Sequence, residues 1–505
     1  MKITNDNLNQ KDIAVIQSAG LKVCQNVISG DPARILSVLQ YVPQQDRHLL
    51  QHYIDRGKAS SKKYSGASIS SPEGLEYYPY QKSAIEFMVD NVHCLNACPP
   101  GLGKTIMIAG LINYLSIKKD ILIIPPANLR INWERELNKW LIDGQTIGMW
   151  DENTDICIIN YARLKRNKDL IQAKKWELLV CDESHYIANS DSIRSRMVRS
   201  IRRERTVFLS GTPISNRTKN LWNQLSTLNL TRWGRYRDFA FEFCDAKEME
   251  IGPPMARRKI LLADGATNTR RLNIMLRSTL MYRVEREEVL LDLPERTIQL
   301  IPLTAKKALQ VKSDEVEKNE EMKKVLQGLS EGDNLDFTEI ATFRSVLGEE
   351  KAPDVIQHVK DLLNGGENKI VLFGHHKNVL QAYKEGLADY NPVMFTGNTS
   401  PKKKQQAVDD FQNDPSVQVF IGSITAAGVG ITLTASHRCV CGELAWSPSV
   451  MDQAVSRLQR IGQKNAVVAE YLVLDGTLDI KMARMLITKQ RAFNEVIVNN
   501  EMKGE

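Results

Sequence analysis

Two short stretches of the chain carry residue types suited to handling phosphate. The first is CPPGLGKT, residues 98–105. Gly101 and Gly103 let the backbone turn so that its N–H groups face a phosphate, and a helix starting beneath them adds a favourable dipole. Lys104 then reaches the β- and γ-phosphates of ATP, and the Thr105 hydroxyl ligates Mg²⁺. The strict phosphate-loop pattern is not met, because Cys98 stands where its first glycine belongs. Alone, GLGKT is compatible with a chance loop. The second stretch is DESH, residues 182–185. It closes the apolar run LLVCD, which places Asp182 at the carboxyl edge of a parallel sheet, where ligands bind. Asp182 is suited to hold Mg²⁺ through water, and Glu183 to orient or deprotonate the attacking water. Most Asp-Glu pairs are solvated turns. One that ends a core strand downstream of GLGKT is better read as the partner of a phosphate loop.

The surrounding elements fit that task. VHCLNAC precedes the loop, and TIMIAGLINYL, with helical periodicity, follows it. From Leu75 onward, short β-branched apolar runs alternate with helical patterns: VHCLNAC, ILIIPP, DICIIN, WELLVCD, TVFLSG. Buried strands separated by helices imply an α/β fold with a parallel sheet covered on both faces. The rhythm breaks over 236–365, a charged and helix-like stretch, and resumes with KIVLF, NPVMF, VQVFIG, HRCVCG and VVAEYLV. The expected order is a small helical segment at 1–57, where PARILSVLQYV has helical spacing, and a Ser-rich basic linker at 58–74. A first α/β domain at 75–235, helical insertions and an inter-domain linker at 236–365, a second α/β domain at 366–475 and bracing helices at 476–505 complete it.

Bulk properties narrow the function classes. At 505 residues the chain is too long for one ordinary core, so two or three domains are expected. No apolar run reaches about 18 residues, so no membrane partner is expected, and the polar start MKITNDNLNQ lacks a secretion signal. Sixty-seven basic against 60 acidic residues give +7, which permits a polyanionic partner without demanding one. The eight cysteines are scattered, and Cys439-x-Cys441 has no second pair. They read as reduced, buried thiols rather than a zinc site. His375 and His376 are adjacent on a strand end and point apart, which argues against a metal there.

With both motifs in place, residues 75 to about 495 resemble the SWI/SNF-type ATPases of helicase superfamily two. LEYYPYQKSAIEFM (75–88) looks like the adenine-reading segment, with Gln81 the implied base contact. IIPPANLRINWERELNKW (123–140), IINYARL (158–164) and LSGTPISN (209–216) follow in family order. The second half adds KIVLFGHHKNVL, FTGNTSPKKKQQAVDDFQ, GSITAAGVGITLTAS (422–436) and ELAWSPSVMDQAVSRLQRIGQ (443–463). In the last string the spacing puts Arg457 and Arg460 one helical turn apart on one face. DESH, FCDAKEM (243–249), LPERT (293–297), FGHHK (373–377) and SITAAGVG are closest to the annealing-helicase (HARP-type) branch. Departures exist. Cys98-Pro99-Pro100 replaces the usual acidic and Met residues, and Ser456 and Gln459 stand where Asp and His are usual. No HARP-type annealing module, zinc finger or nuclease motif is found, so annealing activity does not simply carry over.

The resemblance implies two RecA-like motor domains in tandem and an ATP hydrolase using Mg²⁺. It implies that Arg457 and Arg460 serve the γ-phosphate, with Arg460 the arginine finger, and that Gly430 joins the nucleotide contacts. His185, Ser210, Thr212 and Gln453 are implied to couple hydrolysis to movement. Asn132, Trp133, Tyr161, Thr399, Thr425 and Trp446 are implied to grip nucleic acid, although Trp133 and Trp446 also read as ordinary core. The expected function is a DNA-dependent ATPase that translocates on double-stranded DNA and remodels branched DNA. The alternatives are an ATP-driven remover of DNA-bound proteins, a strand-separating helicase and an ATP-gated branched-DNA-binding switch. Compactness points to a bacterial or viral source and a cytoplasmic location, or the nucleus in a eukaryote; protein partners are not readable.

Overall fold

The computed structural model describes residues 1–498 except 151–152, 215–216, 252–257, 291–293, 319–337, 398, 428–430 and 461. The chain divides into two units, Met1–Val289 with the tail from Arg491, and Leu290–Gln490.

Unit 1 begins with β1 (Lys2–Thr4), α1 (Gln10–Ser18), β2 (Lys22–Cys24), β3 (Val27–Ser29), α2 (Pro32–Leu36) and α3 (Gln51–Ala59). The segment read as helical therefore also holds an antiparallel sheet, ordered β1-β3-β2. Strands of three residues are too short to show alternation. The turn between β2 and β3 is Gln25-Asn26, both at positive φ (46° and 63°). This is the two-residue hairpin geometry without the glycine that usually announces it. Ile3, Ile16, Leu21, Ile28, Ile35 and Leu36 form a small core that closes on Ile274. Arg34 pairs with Glu242, and Arg232 with Asp31 at 3.2 Å, fixing the segment to the body of the unit.

The body is built on α4 (Pro79–Asp90), β4 (His93–Asn96), α5 (Lys104–Leu115), β5 (Ile121–Ile124), α6 (Arg130–Trp140), β6 (Ile147–Gly148), β7 (Ile156–Ile158), α7 (Lys168–Ala173), β8 (Trp176–Asp182), α8 (Ile193–Ser200) and β9 (Arg203–Leu209). Then come α9 (Trp222–Leu228), α10 (Leu230–Trp233), α11 (Tyr236–Phe243), β10 (Lys247–Ile251), β11 (Arg258–Leu262), α12 (Thr269–Arg277) and β12 (Met281–Tyr282). Seven parallel strands run β12-β4-β9-β8-β5-β7-β6. Leu95, Ile121–Ile124, Leu178–Cys181 and Val207–Leu209 are fully buried, as strands covered on both faces require.

Unit 2 repeats the design with β13 (Arg296–Leu303), β14 (Ile370–Gly374), β15 (Val393–Phe395), β16 (Val419–Ser423), β17 (Arg438–Cys441) and β18 (Val467–Leu474). All pair in parallel, in the order β13-β18-β17-β14-β16-β15. The stretch expected to be helical insertion thus also holds an antiparallel hairpin, β10-β11, and an edge strand of each large sheet, β12 and β13. Two residues carry no periodicity. β13 has one neighbour and keeps Ile298 and Leu300 exposed, so its sequence lacks the solid apolar run of a central strand. Seven cysteines are buried and Cys24 is exposed, against the expectation that all are buried; among the described residues none is bonded to another.

The tail is held to unit 1 by buried Arg277. Its guanidinium donates to the carbonyls of Ser60 (3.2 Å), Arg283 (2.8 Å), Ile497 (2.9 Å) and Val498 (3.1 Å). Burial lowers its pKa to about 10, which still leaves it charged at neutral pH. Arg277→Met should strand these carbonyls, each costing about 1–3 kcal/mol if left buried and unpaired. The expected result is a lower thermal midpoint and faster proteolytic loss of the tail after Gln490, checked by limited proteolysis with mass spectrometry.

Candidate functional site

The phosphate loop joins the end of β4 to α5. Gly101 (φ 92°) and Gly103 (φ 76°) both adopt the left-handed region. A Cβ on Gly103 would also lie 2.6 Å from the Gln81 amide nitrogen. Gln81 is buried; its amide donates to the Leu102 carbonyl at 3.2 Å and accepts from the Tyr78 N–H at 3.0 Å. The residue expected to read the base is thus tied to the phosphate loop. Lys104 opens α5 and donates to the carbonyls of Cys98 (2.8 Å) and Pro99 (3.3 Å). Burial holds its ammonium below the ordinary lysine range, while the charges of Glu183 and Asp182 pull the other way. Thr105 follows it, half-buried.

Asp182 is the last residue of β8 and is buried. Its Oδ2 accepts from the Trp133 indole N–H at 2.8 Å, its Oδ1 from the Glu183 N–H at 2.8 Å, and its carbonyl from the Tyr161 hydroxyl at 2.8 Å. Burial, then the neighbouring Glu183 charge, push the carboxyl up from 3.8 to about 6; the Trp133 bond and Lys104 act against this. Glu183 sits at φ 48° at the strand end. His185 Nδ1 lies 3.3 Å from the Glu183 carboxylate and 3.2 Å from Ser210 Oγ.

The segment after β9 lies against the loop. Ser210 N–H donates to the Asn96 carbonyl at 3.1 Å, and a Cβ on Gly211 would fall 2.7 Å from Pro100 Cδ. Thr212 N–H donates to Ser210 Oγ at 3.3 Å, while its own buried hydroxyl has no hydrogen-bond partner among the described residues. Two buried arginines that the sequence reading missed complete the frame. Arg283 donates to the carbonyls of Ala97 and Gly211, and Arg286 to that of Pro100 at 2.9 Å. Only their place just after β12 distinguishes them, and β12 itself is invisible in the sequence.

Two of the expected nucleic-acid contacts need correction. Trp133 and Tyr161 are 1% and 6% exposed and hold Asp182 from behind, so neither is a surface gripping residue. Asn132 and Thr425 are exposed, and Thr399 and Trp446 are half-buried, the last under the Arg344 guanidinium 4.8 Å from its ring. In unit 2, Gln453 is buried on the helix Pro448–Val455. Arg457 and Arg460 do not share a helix face, because that helix ends at Val455. The Arg457 carbonyl accepts from Leu433 N–H at 2.8 Å instead of continuing the helix, and Gly462 turns at φ 100°. Arg457 is buried; Arg460 is half-buried and donates to Thr432 Oγ1 at 3.0 Å. Gly430 lies outside the described residues.

The His375 and His376 rings meet edge-on, and among the described residues no group of three His, Cys, Asp or Glu is placed to hold a metal ion. Buried Glu443 accepts from both backbone N–H groups, at 2.6 and 3.0 Å. No described helix is long and apolar enough to cross a membrane.

The SNF2-related domain matches residues 80–340, and the helicase conserved C-terminal domain matches 354–462. The human DNA annealing helicase and endonuclease ZRANB3 is 31% identical over 453 residues, covering 84% of this chain and 41% of the relative. The Xenopus tropicalis SWI/SNF-related matrix-associated actin-dependent regulator of chromatin subfamily A-like protein 1 is 28% identical over 448 residues, covering 85% and 46%. This chain therefore spans less than half the length of either relative. The Sulfolobus solfataricus SWI2/SNF2 ATPase core in complex with dsDNA aligns with a TM-score of 0.41 at 22% identity, covering 86% of this chain and 95% of that one.

The Asp182 environment has a pH consequence in the ligand-free protein. An acid whose pKa is raised on folding binds its proton more tightly when folded, so it favours folding at low pH and loses that contribution as pH rises from about 4 through 6. Asp182→Asn should remove this loss. The urea midpoint of the variant minus that of the parent should increase between pH 4 and 6.5 and then level off; a flat difference would contradict the buried, proton-holding carboxyl.

Proposed function

Because the chain belongs to the SNF2-related domain family, we propose that it is an ATP hydrolase driven by double-stranded DNA, moving along the duplex and remodelling branched DNA. One observation carries this reading: Asp182 is buried at the carboxyl edge of one parallel sheet, with half-buried Lys104 and Glu183 near enough for their charges to act on it. A lysine and two carboxylates gathered at one partly buried edge are suited to a triphosphate with a hard cation, since oxygen donors suit Mg²⁺.

In this reading Lys104 would hold the β- and γ-phosphates, and Thr105 and Asp182 would hold Mg²⁺, whose charge would offset that of the transferring phosphoryl group. Glu183 orients the attacking water, and His185 holds its carboxylate while contacting Ser210. Gly211, seated on Pro100, makes the segment after β9 at 210–214 sensitive to the phosphate loop's position. Asn132, Thr399, Thr425 and Trp446 remain the proposed duplex contacts. Contacts of this kind go to the phosphate backbone and are independent of sequence and sensitive to salt. Branched DNA as the preferred substrate is supported by the similarity to the annealing helicase ZRANB3.

The test is the ATPase rate with no DNA, single strand, linear duplex and a model fork, each beside Lys104→Ala. Duplex and fork should raise the rate on the order of tenfold or more, with the fork highest and the gain falling at high salt. The variant should abolish turnover on every substrate. Equal, low rates on all DNAs would sink the motor reading in favour of an ATP-gated switch.

A further inference from the structure

Trp133 and Tyr161 come from different parts of the chain, α6 and the turn after β7, yet both end on Asp182. Trp133 binds its Oδ2 and Tyr161 its carbonyl, each at 2.8 Å. Tyr161 is further held by stacking on Tyr186, ring centroids 5.5 Å apart and planes 9° apart. The opposite side of the same two elements faces solvent with polar and cationic side chains. Asn132 and Arg135 are exposed on α6, and Arg163, Lys165 and Arg166 are exposed just after Tyr161. Each element thus has a wet, phosphate-attracting side and a dry aromatic anchor on the acidic motif.

We propose that Trp133 and Tyr161 are positioning residues through which duplex binding on α6 and the 161–166 turn sets the orientation of Asp182, and so switches hydrolysis on. The proposal rests on the duplex-driven ATPase reading above. A carboxylate oxygen has two acceptor sites. Trp133 fills one on Oδ2 and the Glu183 N–H fills one on Oδ1, so together they fix the rotation of the carboxylate and the direction of the sites left for Mg²⁺ and its waters. A hydrogen bond weakens steeply with angle, so a small shift of α6 changes that direction. Phosphates lying across Arg135, Arg163, Lys165 and Arg166 favour the placement of α6 and the turn that suits them best. A ligand shifts such an equilibrium only by the difference in its affinity for the two placements. Only the part of this coupling that changes nucleotide affinity is reciprocal; the effect on the hydrolysis rate need not be.

The experiment uses the full chain with Trp133→Phe and the milder Tyr161→Phe, which removes only the hydroxyl. ATPase rates are taken with and without saturating linear duplex across a Mg²⁺ titration, and nucleotide-free duplex affinity by fluorescence anisotropy. The ratio of duplex-stimulated to basal kcat should fall about tenfold in Trp133→Phe and severalfold in Tyr161→Phe. The Mg²⁺ needed for half-maximal rate should rise, while nucleotide-free duplex Kd stays within about twofold of the parent. Basal and stimulated rates falling in equal proportion would overturn the proposal, leaving a structural brace. Weaker duplex binding in step with lost stimulation would also overturn it, making the aromatics DNA contacts. An unmodified chain that duplex does not stimulate would instead overturn the function proposed above, and this inference with it.

Discussion

The site of unit 1 depends on charges held at the carboxyl edge of its sheet where burial cuts their contact with water, Asp182 most of all. Lys104 is depressed by burial and Asp182 is raised by it. Such groups stay in place only when hydrogen bonds hold them. Trp133, the Glu183 N–H and the Cys98 and Pro99 carbonyls are those bonds. The strand order makes them possible. With β9 between β4 and β8, the segment after β9 emerges between the phosphate loop and the acidic motif. Ser210 and Gly211 therefore touch the end of β4 and the loop on one side, and His185 on the other.

Much of the remaining structure keeps that edge rigid. Arg283 and Arg286 hold the loop from the β12 side through backbone carbonyls. Arg277 adds the linker at Ser60 and the tail at Ile497 and Val498 to the same buttress. The N-terminal segment, with its own small core and two ion pairs to the body, braces α12 through Ile274. A polar frame of this kind works when each buried donor finds an acceptor, and fixed polar groups need no rearrangement at the moment of reaction.

The ten apolar runs read as strands from the sequence are all strands, because buried parallel strands need unbroken apolar text. The positions of Lys104 and Thr105 at the start of α5 and of Asp182 and Glu183 at the end of β8 were legible for the same reason, since apolar runs flank them. What the sequence hid was whatever lacked a period. β12 has two residues, β13 sits at an edge, and the β2–β3 hairpin turns without glycine. Trp133 and Tyr161, implied by the resemblance to grip nucleic acid, are buried, as the core reading of Trp133 had it; a spacing does not say which face of a short helix meets the core. Arg457 and Arg460 fit a helical spacing, but the helix ends at Val455, and the Arg457 carbonyl is then taken by the Leu433 N–H. Arg283 and Arg286 carried no signal, since their partners are backbone carbonyls, which every residue has.

Under the proposed function, hydrolysis at this edge moves the protein along duplex DNA. Displacement of a third strand from a duplex–triplex junction measures that movement directly, without requiring strand separation. With ATP, the chain should release the third strand in proportion to ATP consumed, and Glu183→Gln, which keeps the phosphate loop and Asp182, should bind the same DNA without releasing it. Duplex-stimulated ATP consumption with no release of the third strand would contradict the account.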